Sequence, residues 1–210
     1  VAIPLFAHVA AASYFIPAGA GFRYWRTSPV PVRVFTVFCI YSTLHLIAEF
    51  TLGRLGISNL FLLNYHQIVE FSCILFVYIS WVKEERTKDL FQYLGLAYGL
   101  VWLINKYFYE DPERFSEVIS AVAMVFLMFA SVIVLNTLVR SAKEPVREHA
   151  VFWIALGVLL YGAGTVVVTS FSNTILAMGM EYFNMLWHIN WGFTVITNVL
   201  YARSFSCRLF

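Results

Sequence analysis

Val118-Ile-Ser-Ala-Val-Ala-Met-Val-Phe-Leu-Met-Phe-Ala-Ser-Val-Ile-Val-Leu-Asn-Thr-Leu-Val139 contains no ionisable side chain, and Arg140 follows it directly. As an α-helix the run is about 33 Å long, enough to cross a hydrocarbon core of roughly 30 Å. A helix that is apolar on every face belongs in a bilayer or a very large core. Similar runs, broken by short charged clusters, recur on both sides of it to the ends of the chain. Composition agrees: 60% of the 210 residues are hydrophobic, 18% aromatic and 12% charged, whereas soluble domains carry about 25% charge. The fold class read from this is an all-α, polytopic integral membrane protein. No hydrophilic stretch is long enough for a kinase, nuclease or nucleotide-binding module.

Seven transmembrane helices are expected, near 1–22, 33–53, 59–82, 90–109, 113–139, 148–171 and 182–205, as one domain covering 1–210. Local signals set the boundaries. Pro29 and Pro31 interrupt the chain before the second span. Ser58 or Asn59 can cap the third, Asp111 with Pro112 the fifth, and Pro145 opens the sixth. Pro17 should kink the first span. Gly157, Gly162 and Gly164 mark the sixth as a close-packing helix, and Gly95 and Gly99 do so for the fourth.

Charge gives an orientation. Arg23, Arg26, Arg33, Lys83, Arg86, Lys88, Arg140, Lys143, Arg147, Arg203 and Arg208 fall on one side of the alternating spans; Arg54, Lys106 and Arg114 fall on the other. The positive-inside rule then expects the N-terminus outside and the C-terminus cytoplasmic. The basic loops are explained by orientation and call for no nucleic-acid partner. Three cysteines, Cys39, Cys73 and Cys207, form neither a disulfide framework nor a CxxC site.

Polar groups inside the spans are the candidate site, because ionisable side chains at membrane depth are costly. His45 precedes Glu49 by four residues, and His66 precedes Glu70 by four, so each pair shares one helical face. His45 and Glu49 fall about 18 to 24 Å from the inner end of the second span, and His66 and Glu70 about 10 to 16 Å below the outer end of the third. Asn105, Lys106, His188 and Asn190 fall at similar depth. Ser42 shares the face of His45 and Glu49, whereas Tyr161, Thr165 and Thr169 can either satisfy themselves against the backbone or line the same region. The expectation is an outward-facing polar cup. The same His and Glu groups could instead bond one another and only fix helix register.

Chemistry follows from the donor set. Imidazole and carboxylate on one face can share an ion, making His45, Glu49, His66, Glu70 and His188 candidate ligands of a divalent metal. Two histidines on different helices could alternatively ligate haem. No HExxH motif, Gly-rich phosphate loop or Ser/His/Asp arrangement is present, so no catalytic residue is assigned.

Leu63-Asn-Tyr-His-Gln-Ile-Val-Glu-Phe71, Phe152-Trp-Ile-Ala-Leu-Gly-Val-Leu-Leu-Tyr-Gly162, Leu186-Trp-His-Ile-Asn190 and Asn198-Val-Leu-Tyr201 together resemble a family of short, uncharacterised seven-helix bacterial inner-membrane proteins. The resemblance covers the second to seventh spans. It implies a bacterial cytoplasmic-membrane location, draws attention to Tyr65, Glu70, Tyr161, His188 and Asn198, and implies no activity or cofactor.

The leading functional expectation is a non-enzymatic membrane module, a sensor or accessory subunit of a larger complex, contacting lipids and a protein partner in the membrane or cytoplasm. A metal-dependent membrane enzyme or haem-binding protein using the same cluster is the alternative, and a small transporter the third.

Overall fold

The computed structural model of the chain describes residues 5–109 and 117–207. They form α1 (Leu5–Ser13), α2 (Phe15–Arg23), α3 (Val30–Arg54), α4 (Leu60–Trp81), α5 (Glu85–Ile104), α6 (Glu117–Ser141), α7 (Ala150–Ser170), α8 (Ser172–Met178) and α9 (Met180–Ser204), with a π-helical turn at Asn105–Tyr109 and a 3-10 turn at Val146–Glu148. The expected Asp111–Pro112 cap, Arg114 and Arg208 lie outside the described residues.

Each boundary has a local cause. Pro17 has no N–H to give the Ser13 carbonyl, and its ring crowds that carbonyl; the helix accordingly breaks at Tyr14, between α1 and α2. Ser13 turns its hydroxyl back to the Ala10 carbonyl (2.6 Å), and the Tyr14 carbonyl instead accepts from Thr43 of α3 (3.1 Å). Pro29 and Pro31 flank the first residue of α3, where missing N–H groups cost nothing. Asn59 occupies the N-cap of α4 without a side-chain cap; its amide donates to the Glu49 carbonyl (3.2 Å) and ties the α3–α4 connection. Pro145 opens the 3-10 turn rather than α7, whose N-cap is His149. Gly179, at φ 126°, joins α8 to α9 in a conformation that side-chain-bearing residues rarely adopt.

Consecutive long helices pack on one another through short connections, giving an up-and-down course. Contacts also link α1 and α2 to α9, and α4 to α6. The path α1/α2–α3–α4–α6–α7–α9 therefore closes into a ring, and α5 packs outside it against α4 and α6. One end of the ring gathers the connections that hold Arg23, Arg26, Lys83, Arg86, Lys143 and Arg147. There Arg203 lies over the Trp153 ring, 5.9 Å from its centroid. The assignment of this end to the cytoplasm rests on the charge count alone.

The expectation of seven spans is corrected. Among the described residues, five helices are long and apolar enough to cross a membrane: Leu5–Arg23, Val30–Arg54, Phe61–Trp81, Glu117–Ser141 and Ala150–Ser170. The segments expected near 90–109 and 182–205 form helices but miss that standard. Glu85, Arg86, Lys88 and Asp89 load the first turns of α5, while Glu181, His188, Asn190, Asn198 and Arg203 lower the hydropathy of α9. Membrane-spanning character itself is plain on α6. Val118, Val125, Phe129, Val132 and Val139 are exposed on one face; Ala123, Leu127, Ala130, Val134 and Leu138 are buried on the other. Both faces are apolar, as a helix between protein and lipid requires.

The glycines of α7 set its close approach to both neighbours. A Cβ at Gly157 would stand 2.6 Å from the Tyr201 ring of α9, and one at Gly162 would stand 2.6 Å from Met128 of α6. Gly164 meets Phe193 of α9 in the same way. For α5 the expectation holds only in part: Gly95 faces Leu75, whereas Gly99 has open space.

Candidate binding cavity

The ring is filled at one end and hollow at the other. Toward the basic end Phe35 is fully buried, with the Tyr201 ring edge-on at 4.9 Å and Phe205 stacked at 5.7 Å. Toward the opposite end lies a cavity of about 740 Å³. Its wall takes residues from every ring helix: Ala10 and Tyr14, Ser42 to Arg54, Asn59 to Glu70, Ser120 and Met124, Tyr161 to Thr169, and Trp187 to Thr194. The α5 helix, outside the ring, supplies none of the lining.

The histidines and glutamates are brought together at the α3–α4 seam. The rings of His45 and His66 lie 4.4 Å apart, centroid to centroid, and His66 also stacks on Tyr41 at 5.5 Å. His45 Nε2 contacts the Leu62 carbonyl at 2.9 Å. A carbonyl only accepts, so Nε2 carries the hydrogen. In the neutral ring, the bare Nδ1 then faces Glu49, at 3.7 Å. At 3.7 Å the contact is an ion-pair distance and too long for a hydrogen bond.

This geometry overturns the outward-facing polar cup. Glu49 turns back onto His45, both are largely buried, and His45 is committed to the α4 backbone. With the cup goes the sensor or accessory-subunit reading that was built on it. The metal reading gains no support in the same place. Among the described residues no three His, Cys, Asp or Glu side chains stand close enough to hold an ion. His188 stands apart from the other four candidate ligands: it is exposed, stacks on Phe6 at 6.1 Å, and meets Trp191 edge-on at 4.9 Å.

The other expected residues divide by helix. Asn190 is buried in the cavity wall and its side-chain oxygen accepts from Thr165 at 2.8 Å. Asn105 and Lys106 stand on the π-helical turn after α5, and Lys106 Nζ lies 4.5 Å from the centroid of the Tyr65 ring. Ser42, Tyr161, Thr165 and Thr169 do line the cavity.

Glu70 is the group with the most unusual surroundings. It is 6% exposed and makes no hydrogen bond or ion pair with the other described residues. It borders both the large cavity and a small inner chamber of about 30 Å³. That chamber is the size of one or two water molecules. Ser42, His66 and Tyr201, on three different helices, are among its lining residues, and Ser42 Oγ, His66 Nδ1 and the Tyr201 hydroxyl are buried with no hydrogen-bond partner among the described residues. Asn198 and Ser13, joined by a 2.8 Å hydrogen bond, brace α9 against α1.

Sequence reasoning missed Tyr14, Gln67 and Ser120 in this wall. Gln67 was legible as an amide inside an apolar run, and it donates to the Ser120 hydroxyl across α4 and α6. Tyr14 had a signal in its position three residues before Pro17, where the helix break turns it inward.

Compared with protein-family models, curated proteins and solved structures, the chain matches none. The motif-level resemblance to a seven-helix bacterial family is therefore not sustained. What stands is an all-α bundle with, among the described residues, five helices of spanning length and apolarity.

Proposed function

We propose that the chain is a membrane-embedded binding protein that takes a small organic molecule into the hollow half of its helix ring. The cavity volume carries this reading. About 740 Å³ lies within the roughly 300–1,000 Å³ of small-molecule sites. A ring serving only to pack helices would be filled throughout, since protein interiors pack as densely as organic crystals. This ring is filled at its basic end and not at the other. The wall mixes apolar side chains with a few polar ones, Glu70, Asn190, Thr165 and Ser42 among them, which suits an amphipathic molecule. The reading does not depend on which cellular membrane holds the chain.

Native mass spectrometry of the purified protein tests it. A small molecule should leave with the wild type and be absent from Ala11→Trp, whose indole would occupy the cavity. If the wild type releases no such molecule, and screened amphipaths raise the Tm of wild type and Ala11→Trp alike, the cavity is not a binding site.

A further inference from the structure

The inner chamber says more about the molecule than the cavity volume does. Glu70 presents a carboxyl group with no partner among the described residues. A buried carboxyl group is either kept protonated or, when ionised, needs a counter-charge and hydrogen bonds to its oxygens. Two more lining residues hold a buried polar atom with no partner among the described residues: Ser42 Oγ, on a residue 4% exposed, which can donate or accept, and His66 Nδ1, which accepts when Nε2 carries the ring hydrogen. The Tyr201 hydroxyl, on a residue 5% exposed, is a third neighbour without a partner. Glu70, Ser42 and His66 can each accept a hydrogen bond around a void of this size, and one group matches that set well. An ammonium carries three N–H donors and a positive charge, and accepts nothing.

The rest of the wall agrees in sign and in shape. Among the lining residues the carboxylates are Glu49 and Glu70, and Arg54 is the one Lys or Arg side chain. Arg54 is the exposed last residue of α3, about 18 Å of helix rise beyond Ser42. It cannot neutralise Glu70. Tyr14 and Tyr161 border both compartments, and Trp187 and Trp191 border the larger one. Aromatic rings attract cations as well as apolar bodies.

Resting on the binding reading above, we propose that the ligand is an organic amine: its ammonium seats in the inner chamber against Glu70, Ser42 and His66, and its apolar body fills the larger cavity among Tyr14, Tyr161 and Trp191.

Three probes of one shape test this by isothermal titration on the protein in nanodiscs at pH 7: 2-phenylethylammonium, 2-phenylethanol and 3-phenylpropanoate. The ammonium should bind at least tenfold more tightly than the alcohol, and the propanoate should not bind. Glu70→Gln should abolish the tenfold preference while leaving the alcohol's affinity within about twofold. Ser42→Val, which keeps both carboxylates, should weaken the ammonium severalfold and serves if Glu70→Gln does not accumulate. Equal affinity for ammonium and alcohol would overturn the inference and leave the binding reading standing; the chamber then holds only water. Binding of none of the three would also overturn it, and the co-purified molecule would decide the broader reading separately. A preference for the propanoate would place the site at Arg54 and overturn it as well.

Discussion

His45 and His66 face each other across the α3–α4 seam with ring centroids 4.4 Å apart and planes inclined by 30°. Only His45 is anchored to the facing backbone, through Leu62. The contact makes the seam a polar junction in an otherwise apolar interface, and it holds α4 at the register that turns Glu70 inward. His45→Phe should keep the ring contact and lose both the hydrogen bond to Leu62 and the contact with Glu49, costing about 1–3 kcal/mol or more because both partners stay behind unpaired. Equilibrium unfolding in mixed micelles would check this, and an unchanged midpoint would show that the bond is not holding the seam.

Gly157 is fixed by how closely α7 approaches α9. Its Cβ position lies 2.6 Å from the Tyr201 ring, so any larger residue forces the helices apart. Gly157→Val should destabilise the protein by roughly 1–3 kcal/mol. Gly99→Ala, at a site with open space, should be neutral or slightly stabilising. Tm values of the two variants in the same detergent make the comparison, and a similar loss in both would refute the close-approach argument.

Tyr78 is fully buried, and its hydroxyl shares a 2.7 Å hydrogen bond with Ser131 of α6. Ser131 keeps a second bond, to the Leu127 carbonyl (2.7 Å), so Tyr78→Phe leaves no orphan group. Interhelical hydrogen bonds in membrane proteins average about 0.6 kcal/mol, and the loss should be of that size. A loss several times larger would mean the hydroxyl supports more than this one contact.

Cys207 lies beyond the end of α9, beside the Arg147 carbonyl at 3.7 Å and the Arg203 carbonyl at 3.3 Å. Burial pushes its thiol above the ordinary cysteine range, outweighing the pull of the Arg203 charge. Less thiolate is then present at pH 8 than in an unfolded chain, and thiolate is the reactive form. In a Cys39→Ala, Cys73→Ala background, maleimide should label the folded protein more slowly than the SDS-unfolded one. The gap should narrow as pH rises past the folded value. Faster labelling in the folded state would reverse the sign of the shift.

The candidate site was half legible. His45, Glu49, His66 and Glu70 stand out in a sequence because charge is rare in apolar runs, and helical spacing puts each pair on one face. Nothing in that spacing says which way a face turns. Glu49 closed onto His45 and Glu70 did not, a difference set by the Leu62 carbonyl on a neighbouring helix. Asn105, Lys106 and His188 shared the depth of the cluster without joining it, because depth is one coordinate and a helix's place in the ring is another.

By itself the sequence determined the helical, membrane-spanning character of the chain, the breaks at its prolines and the glycine face of α7. These follow from composition, periodicity and backbone chemistry, which act within a few residues. Only the tertiary structure decided that six segments close into a ring, that α5 stays outside it, and that one half is hollow around an unpaired Glu70. Ring closure depends on contacts between residues as distant as Ser13 and Asn198, and on side-chain volumes summed across several helices. No local pattern carries that sum.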